Sequence, residues 1–279
     1  MGAGRSGSTI LGVTLGNCEG VFYAGELDAW LARSGEPQLQ DAARMRFWGG
    51  VREEVEGAGE LYGREAQRAL ERSASVFRVH KWPARRSLRR DYRRVAADLY
   101  RAVSRAAGTS LIVDTSHYPL RARELQALTE IDLYLLYLMR DPQSVVDSFN
   151  RTDVAQYNKS TLTTNVYLWL TNLLSVWVFL RQPSDRRMFV RYEDFVADPQ
   201  GIVGNILQRV GVSSPPPDFT SLDTGLAFQG NRLIRSERIV LESRPPRAAR
   251  RSRVTALLQF PWAAVLSHLR PVVSASARG

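Results

Sequence analysis

Residues 1–9 read MGAGRSGST, and the apolar run ILGVTLGN, residues 10–17, follows directly. This junction decides the fold. Glycine lets a backbone turn tightly and approach an oxyanion closely. Successive N–H groups at the start of a helix form a ready anion site. Gly2, Gly4 and Gly7 supply the first property, and Ser6, Ser8 and Thr9 add hydroxyls. Arg5 adds a planar, fork-shaped cation. A helix starting at Ser8 or Thr9 behind an anion-binding loop is therefore expected; a flexible N-terminal tail is the plainer alternative.

Further along, apolar β-rich runs at residues 21–24, 75–80, 110–114, 133–139 and 188–191 predict extended segments. Helical patterns at 85–105, 119–129, 142–150, 164–181 and 199–210 alternate with them. That alternation predicts an α/β fold, with a parallel sheet connected by helical crossovers and flanked by helices in three layers. The longest apolar stretch, residues 166–180, is interrupted by Asn172 and Ser175 and bounded by Asn165 and Arg181, and reads as a buried amphipathic helix. The expected division is a main domain over 1–245 and a basic C-terminal helix and tail over 246–279.

Lys and Arg number 38 against 28 Asp and Glu, a net charge of +10, and only Lys81 and Lys159 are lysines. Such a balance favours anionic partners, whether nucleic acid, acidic lipid or a phosphorylated small molecule. Cys18 stands alone, so no intrachain disulfide forms, which suits a reducing compartment. Residues 1–15 read as a Gly/Ser loop rather than the apolar core of a signal peptide, and no run of about 18 apolar residues is present. The expectation is a cytoplasmic protein without a transmembrane segment.

Set against the nucleoside-triphosphatase loop G-x-x-x-x-G-K-[ST], Gly2, Gly7 and Thr9 fall in frame, but Ser8 stands in the lysine's place. That lysine normally reaches the terminal phosphates, so its absence argues against a kinase. GAGRSGST instead resembles the 5′-phosphosulfate loop of sulfotransferases that use 3′-phosphoadenosine 5′-phosphosulfate (PAPS). The likeness is to the bacterial R-S-G-[ST]-[ST] type and to tyrosylprotein sulfotransferases. YLMRDPQSVVDS, residues 137–148, resembles the family's 3′-phosphate motif, which implies that Arg140 and Ser148 hold that phosphate. FVRYEDF and ADP, residues 189–195 and 197–199, match a segment expected to be mainly structural, with Asp198 capping a helix and Arg191 paired in the core or at the surface rather than approaching the nucleotide. AFQGNRLIR, residues 227–235, resembles the late loop that closes over the nucleotide, with Gly230, Asn231 and Arg235 matching. Many bacterial relatives carry a His where this chain has Leu226.

The resemblance implies transfer of a sulfonate from PAPS to a hydroxyl of a small molecule, glycan or glycolipid, by in-line displacement and with no metal. Gly4, Arg5, Ser6, Gly7, Ser8, Thr9, Arg140, Ser148, Gly230, Asn231 and Arg235 would bind the nucleotide. Glu26, in FYAGELDAW, would take the acceptor's proton, with Asp28 in reserve, and Arg5 would meet charge on the leaving phosphate. DTSHYP, residues 114–119, places His117 where the family pattern D-S-S-K-x-P has a lysine. A protonated His117 donates a hydrogen bond there but titrates near neutrality; Lys81 is a substitute cation. His80, His117 and His268 are far apart in sequence and suggest no metal cluster. Trp30, Trp48, Tyr157, Trp169 and Trp177 line either an acceptor pocket or the core. In the family the first loop follows a central strand, so the chain is expected to lack its first strand, about 5–15 residues. The rivals are a small-molecule or nucleotide kinase, using Asp114 on the Mg²⁺ side, and a non-catalytic nucleotide or nucleic-acid binder, suggested by the arginines of 85–105. A solvated helix face explains that run better, so nucleic acid is not the expected partner.

Overall fold

The structure is a computed structural model that describes residues 1–78, 80, 82–150, 160–242, 252–269 and 271–272. In chain order its elements are α1 (Ser8–Gly16), β1 (Val21–Gly25), α2 (Ala29–Ala32), α3 (Ala42–Glu54), α4 (Arg64–Leu70), α5 (Trp82–Ala107), β2 (Leu111–Asp114) and α6 (Pro119–Leu125). There follow β3 (Leu135–Met139), α7 (Pro142–Phe149), α8 (Thr161–Arg181), β4 (Arg187–Arg191), α9 (Tyr192–Ala197), α10 (Pro199–Arg209), β5 (Leu222–Asp223), β6 (Arg238–Ile239) and α11 (Arg253–Ser267). These fall into two compact units. One holds residues 1–8, 134–213 and 242–279; the other holds 9–133 and 214–241.

In the first unit β3 and β4 pair in parallel, from Leu135↔Arg187 to Met139↔Arg191 without a shift. Most of their residues are buried and apolar, as strands covered on both faces must be. Met1 lies along the other edge of β3: its amino group donates to Leu136 O at 2.7 Å and its carbonyl accepts from Leu138 N–H at 3.0 Å. On β4, the Val272 N–H donates to Phe189 O at 2.8 Å. Asp141 caps α7 by accepting from Ser144 N–H, and Pro142 sits in that first turn, where its missing N–H costs nothing. Asp198 caps α10 in the same way, accepting from Gly201 N–H at 2.9 Å. α11 packs on α7 and α8 within this unit.

In the second unit β1 and β2 pair in parallel, Val21↔Leu111 to Tyr23↔Val113, with an irregularity before Gly25↔Asp114. The core gathers Trp30, Trp48, Leu70, Tyr92, Leu99 and Phe228. α5 buries the apolar stripe Val95, Leu99 and Val103 and leaves Arg86, Arg90, Arg94, Arg101 and Arg105 exposed. β5 and β6 form a short antiparallel pair. Beneath α5 lies a buried ionic network: Arg121 contacts Glu71 at 3.0 Å and Asp114 at 3.3 Å, and donates to the hydroxyls of Tyr92 and Tyr100. Buried Glu124 is ringed by Arg85, Arg89 and Arg93.

The α/β expectation holds, with the parallel pairing in two two-stranded sheets, one in each unit. Two expectations change. Among the described residues of 75–80 there is no strand: Ser73–Phe77 form a 3₁₀ turn with Phe77 exposed. β-propensity reflects fit to a half-buried pleated surface, and this segment has none to join. The run at 166–180 is helical, but only one side of it is buried. α8 turns Val166, Trp169, Leu173, Trp177 and Leu180 outward and its polar residues inward; periodicity finds the helix but does not say which face meets the core.

Removing Arg121 would leave two buried carboxylates without their shared counter-charge. Arg121→Met is expected to lower unfolding free energy by about 3–5 kcal/mol in a denaturant titration.

Candidate functional site

The opening loop builds its site from backbone geometry. Arg5 has φ +69°, unusual for a non-glycine residue, and Gly7 has φ +96°. Both close a tight turn in which Ser6 N–H donates to Ala3 O at 3.3 Å. The glycines are also required by space: a Cβ on Gly2 would lie 2.3 Å from Leu138 O, and one on Gly7 2.3 Å from the Tyr192 ring. Gly4 N–H donates to the Tyr167 hydroxyl at 2.8 Å. The turn thus brings its arginine to a defined place: Arg5 Nε donates to Ser148 Oγ at 3.1 Å. Arg140, just after β3, donates through Nη1 to Arg5 O at 3.2 Å and rests 4.6 Å above the Tyr192 ring. Glu193 accepts Asp141 N–H at 2.8 Å and so fixes the turn that carries Arg140.

Three side chains drawn from distant motifs, Arg5, Arg140 and Ser148, therefore meet in the first unit. Two guanidinium groups, a hydroxyl and a glycine-lined turn suit a ligand with phosphate-like oxygens. Sequence reasoning missed Tyr167 and Tyr192. Tyr192 stood in the quoted FVRYEDF segment; Tyr167 carried no signal beyond its place in an apolar helix. Arg191, expected at the surface, is exposed and lies 3.9 Å from Asp194.

The second unit holds Glu26, Asp28 and His117. Gly25 ends β1 at φ +80°, where a Cβ would strike Gln229 O at 2.4 Å. The close approach lets Glu26 N–H donate to Gln229 O at 2.8 Å, while Gln229 Nε2 donates to the Glu26 carboxylate at 3.2 Å. Asp114, at the end of β2, accepts from Leu27 N–H and Ser116 N–H, and Ser116 Oγ accepts from Asp28 N–H at 2.9 Å. These bonds bring residues 26–28 and 114–117 together. Glu26, Asp28 and His117 each offer an atom within 4.8 Å of the others, near enough to surround a cation. The wide sequence separation of the histidines hid this grouping.

Burial pushes the Glu26 carboxyl above its ordinary value; His117 pulls it back and Asp28 pushes it further up. Asp28 is raised in the same way, with His117 and Arg121 opposing. Its Oδ1 is buried without a hydrogen-bond partner among the described residues. Asp114 feels burial too, but Arg121, Ser116 and Tyr100 outweigh it and hold its carboxyl below the usual range. Asp114 is thus held in its ionised form, whereas burial favours the protonated forms of Glu26 and Asp28.

Ser8 and Thr9 open α1, with Thr9 buried. A Cβ on Gly230 would sit 2.9 Å from Ile234 and 3.5 Å from Thr9 Cγ2, so the late loop packs beside the start of α1 within the second unit. Asn231 spends its side-chain oxygen on Leu233 N–H, and Arg235 is exposed. Leu226 gives its carbonyl to Trp48 Nε1 at 2.7 Å. Trp30 and Trp48 are core residues, whereas Trp169 and Trp177 are exposed. Lys81, Tyr157 and Lys159 lie outside the described residues.

The sequence pattern of the sulfotransferase family matches residues 1–216. No curated protein sequence matches the chain. Among solved structures, a sulfotransferase domain from the curacin biosynthetic pathway is similar, with TM-score 0.54 and 14% identity over 94% of this chain and 95% of that one. A sulfotransferase domain from the Synechococcus PCC 7002 olefin synthase gives TM-score 0.50 and 22% identity over 97% and 94%. At these identities the likeness speaks for the α/β fold alone.

The loop geometry is testable. Gly7→Ala meets both a positive φ and the Tyr192 ring, and is expected to cost about 1–3 kcal/mol of stability. Gly20→Ala, at φ +74° with nothing within 4 Å of its Cβ, should cost only about 1 kcal/mol. Paired urea titrations compare the two.

Proposed function

We propose that this chain, which belongs to the sulfotransferase family, moves a sulfonate from PAPS to a hydroxyl of a small molecule, glycan or glycolipid and leaves adenosine 3′,5′-bisphosphate. The observation that carries the reading is the meeting of Arg5, Arg140 and Ser148 around a turn in which Gly2 and Gly7 leave no room for a side chain. PAPS, when bound, supplies a sulfonate on a phosphate leaving group and a separate 3′-phosphate. Arg5, with the N–H groups of residues 4–9, would meet the 5′ side, where negative charge develops. Arg140 and Ser148 would hold the 3′-phosphate, Arg140 being kept flat by the Tyr192 ring. Gly230, Asn231 and Arg235 belong to the loop that would cover the nucleotide.

Glu26 is the general base in this reading. A hydroxyl is a poor nucleophile until its proton leaves, and a carboxylate raised by burial accepts that proton more readily than an ordinary one. Gln229 holds one carboxylate oxygen in place. His117, beside both acids, favours their ionised forms and donates toward developing negative charge when protonated. Asp28 keeps Glu26 basic by like-charge repulsion. The displacement is drawn without a metal.

Release of adenosine 3′,5′-bisphosphate from PAPS, assayed over a panel of hydroxyl acceptors, tests the reading. Glu26→Gln should lower kcat by roughly 10²–10⁴-fold. Because the Glu26 carboxyl is raised, the rate should climb with pH above the usual carboxylate range, where the group loses its proton. Asp28→Asn removes a charge that holds Glu26 up and should move that rising limb to lower pH. A wild-type rate independent of pH, with Glu26→Gln fully active, would exclude Glu26 as the base.

A further inference from the structure

α8 and α11, which pack together in the first unit, carry large apolar side chains on their outer faces. A surface helix in water ordinarily turns polar residues outward and apolar ones inward. α8 buries Thr164, Asn165, Thr171, Asn172 and Ser175 alongside Leu168, Leu174, Val178 and Phe179, and still exposes Leu162, Val166, Trp169, Leu173, Trp177 and Leu180. α11 likewise buries Thr255 and Gln259 with Trp262 and Leu266 and exposes Val254, Leu257, Phe260 and Val265. Leu257 is 77% exposed and Phe260 69%. The polar residues have work to do inside: Gln259 Nε2 donates to Asn165 Oδ1 at 3.0 Å, and Asn165 Nδ2 donates to Thr255 Oγ1 at 3.3 Å. Trp169 Nε1 donates to Leu258 O at 3.0 Å and so ties the outer surfaces together. No charged residue occurs over 161–180 or 254–267. Ten large apolar side chains on two adjoining uncharged helices exceed the scatter expected of an exposed face.

We infer that this α8–α11 face rests on the surface of a bilayer containing anionic lipid. Charge decides between a bilayer and a second copy of the chain. Arginines border the apolar face at Arg181 and Arg253, and the sequence leading into α11, residues 244–253, reads RPPRAARRSR. A second copy would bring like charge against like; anionic headgroups would meet it with opposite charge. Exposed tryptophans suit the boundary between headgroups and acyl chains, and the Arg181 guanidinium already lies 5.5 Å from the Trp177 ring. Among the described residues no helix is long and apolar enough to cross a membrane, so the contact is made by lying on the surface, as interfacial amphipathic helices do.

The test is flotation of the full chain with phosphatidylcholine vesicles, with and without phosphatidylglycerol. Analytical ultracentrifugation runs in parallel. Wild type should float with the phosphatidylglycerol vesicles and show tryptophan fluorescence shifted to the blue. Leu173→Glu combined with Leu257→Glu, both exposed positions, should keep the far-ultraviolet circular dichroism of wild type and cut vesicle binding by about tenfold or more. Wild type that stays at the bottom of the gradient would overturn the inference. So would binding unaffected by the double substitution, or a concentration-dependent dimer that the substitution dissolves without any vesicle binding.

Discussion

The structure depends on a turn of eight residues whose backbone lies against other parts of the chain. Gly2 approaches the Leu138 carbonyl, Gly4 gives its N–H to Tyr167, Arg5 adopts a left-handed conformation, and Gly7 abuts Tyr192. Each contact tolerates little change, so the turn has one shape. Because it has one shape, Arg5 reaches Ser148 and its carbonyl receives Arg140. The placement of these groups therefore follows from steric exclusion as much as from charge: two approaches that only glycine permits, at Gly2 and Gly7, shape the turn that carries Arg5 to Ser148 and offers its carbonyl to Arg140.

The second unit relies on a different device. The end of β2 presents Asp114 to Leu27, Ser116, Tyr100 and Arg121 at once. A buried carboxylate survives in its ionised form only when so many groups compensate it. Its partners include the backbone at residue 27, so the ionic network also sets the segment that carries Glu26 and Asp28. Neighbouring acids then behave differently for a physical reason: Asp114 is compensated and stays charged, while Glu26 and Asp28 are less compensated and are raised.

Much of this was legible in the sequence where chemistry and local geometry coincide. The Gly/Ser loop before an apolar run foretold α1, Pro142 foretold the start of α7, Asp198 foretold the cap of α10, and the apolar run ending in R-D-P foretold β3 with Arg140 just beyond it. What the sequence hid depends on tertiary pairing. The described residues of 75–80 have strand composition but join no sheet. Gln229 and Tyr167 act through partners 203 and 163 positions away, a distance that no local pattern encodes. The inner side of α8 was hidden for a related reason: apolar side chains occupy both faces, and only packing against α11 shows that the side carrying the polar stripe is the inner one.

The central claim is that Arg5, Arg140 and Ser148 form a site for a nucleotide carrying phosphate at both the 3′ and 5′ positions. Calorimetric titration of adenosine 3′,5′-bisphosphate tests it most directly, with ATP and Mg²⁺ for comparison, into wild type, Arg140→Ala and Ser148→Ala. The account predicts tight binding of the bisphosphate by wild type, weakened about tenfold to a hundredfold when Arg140 is removed and less when Ser148 is, with ATP the poorer ligand. Equal binding by wild type and Arg140→Ala, or preference for ATP with Mg²⁺, would contradict it.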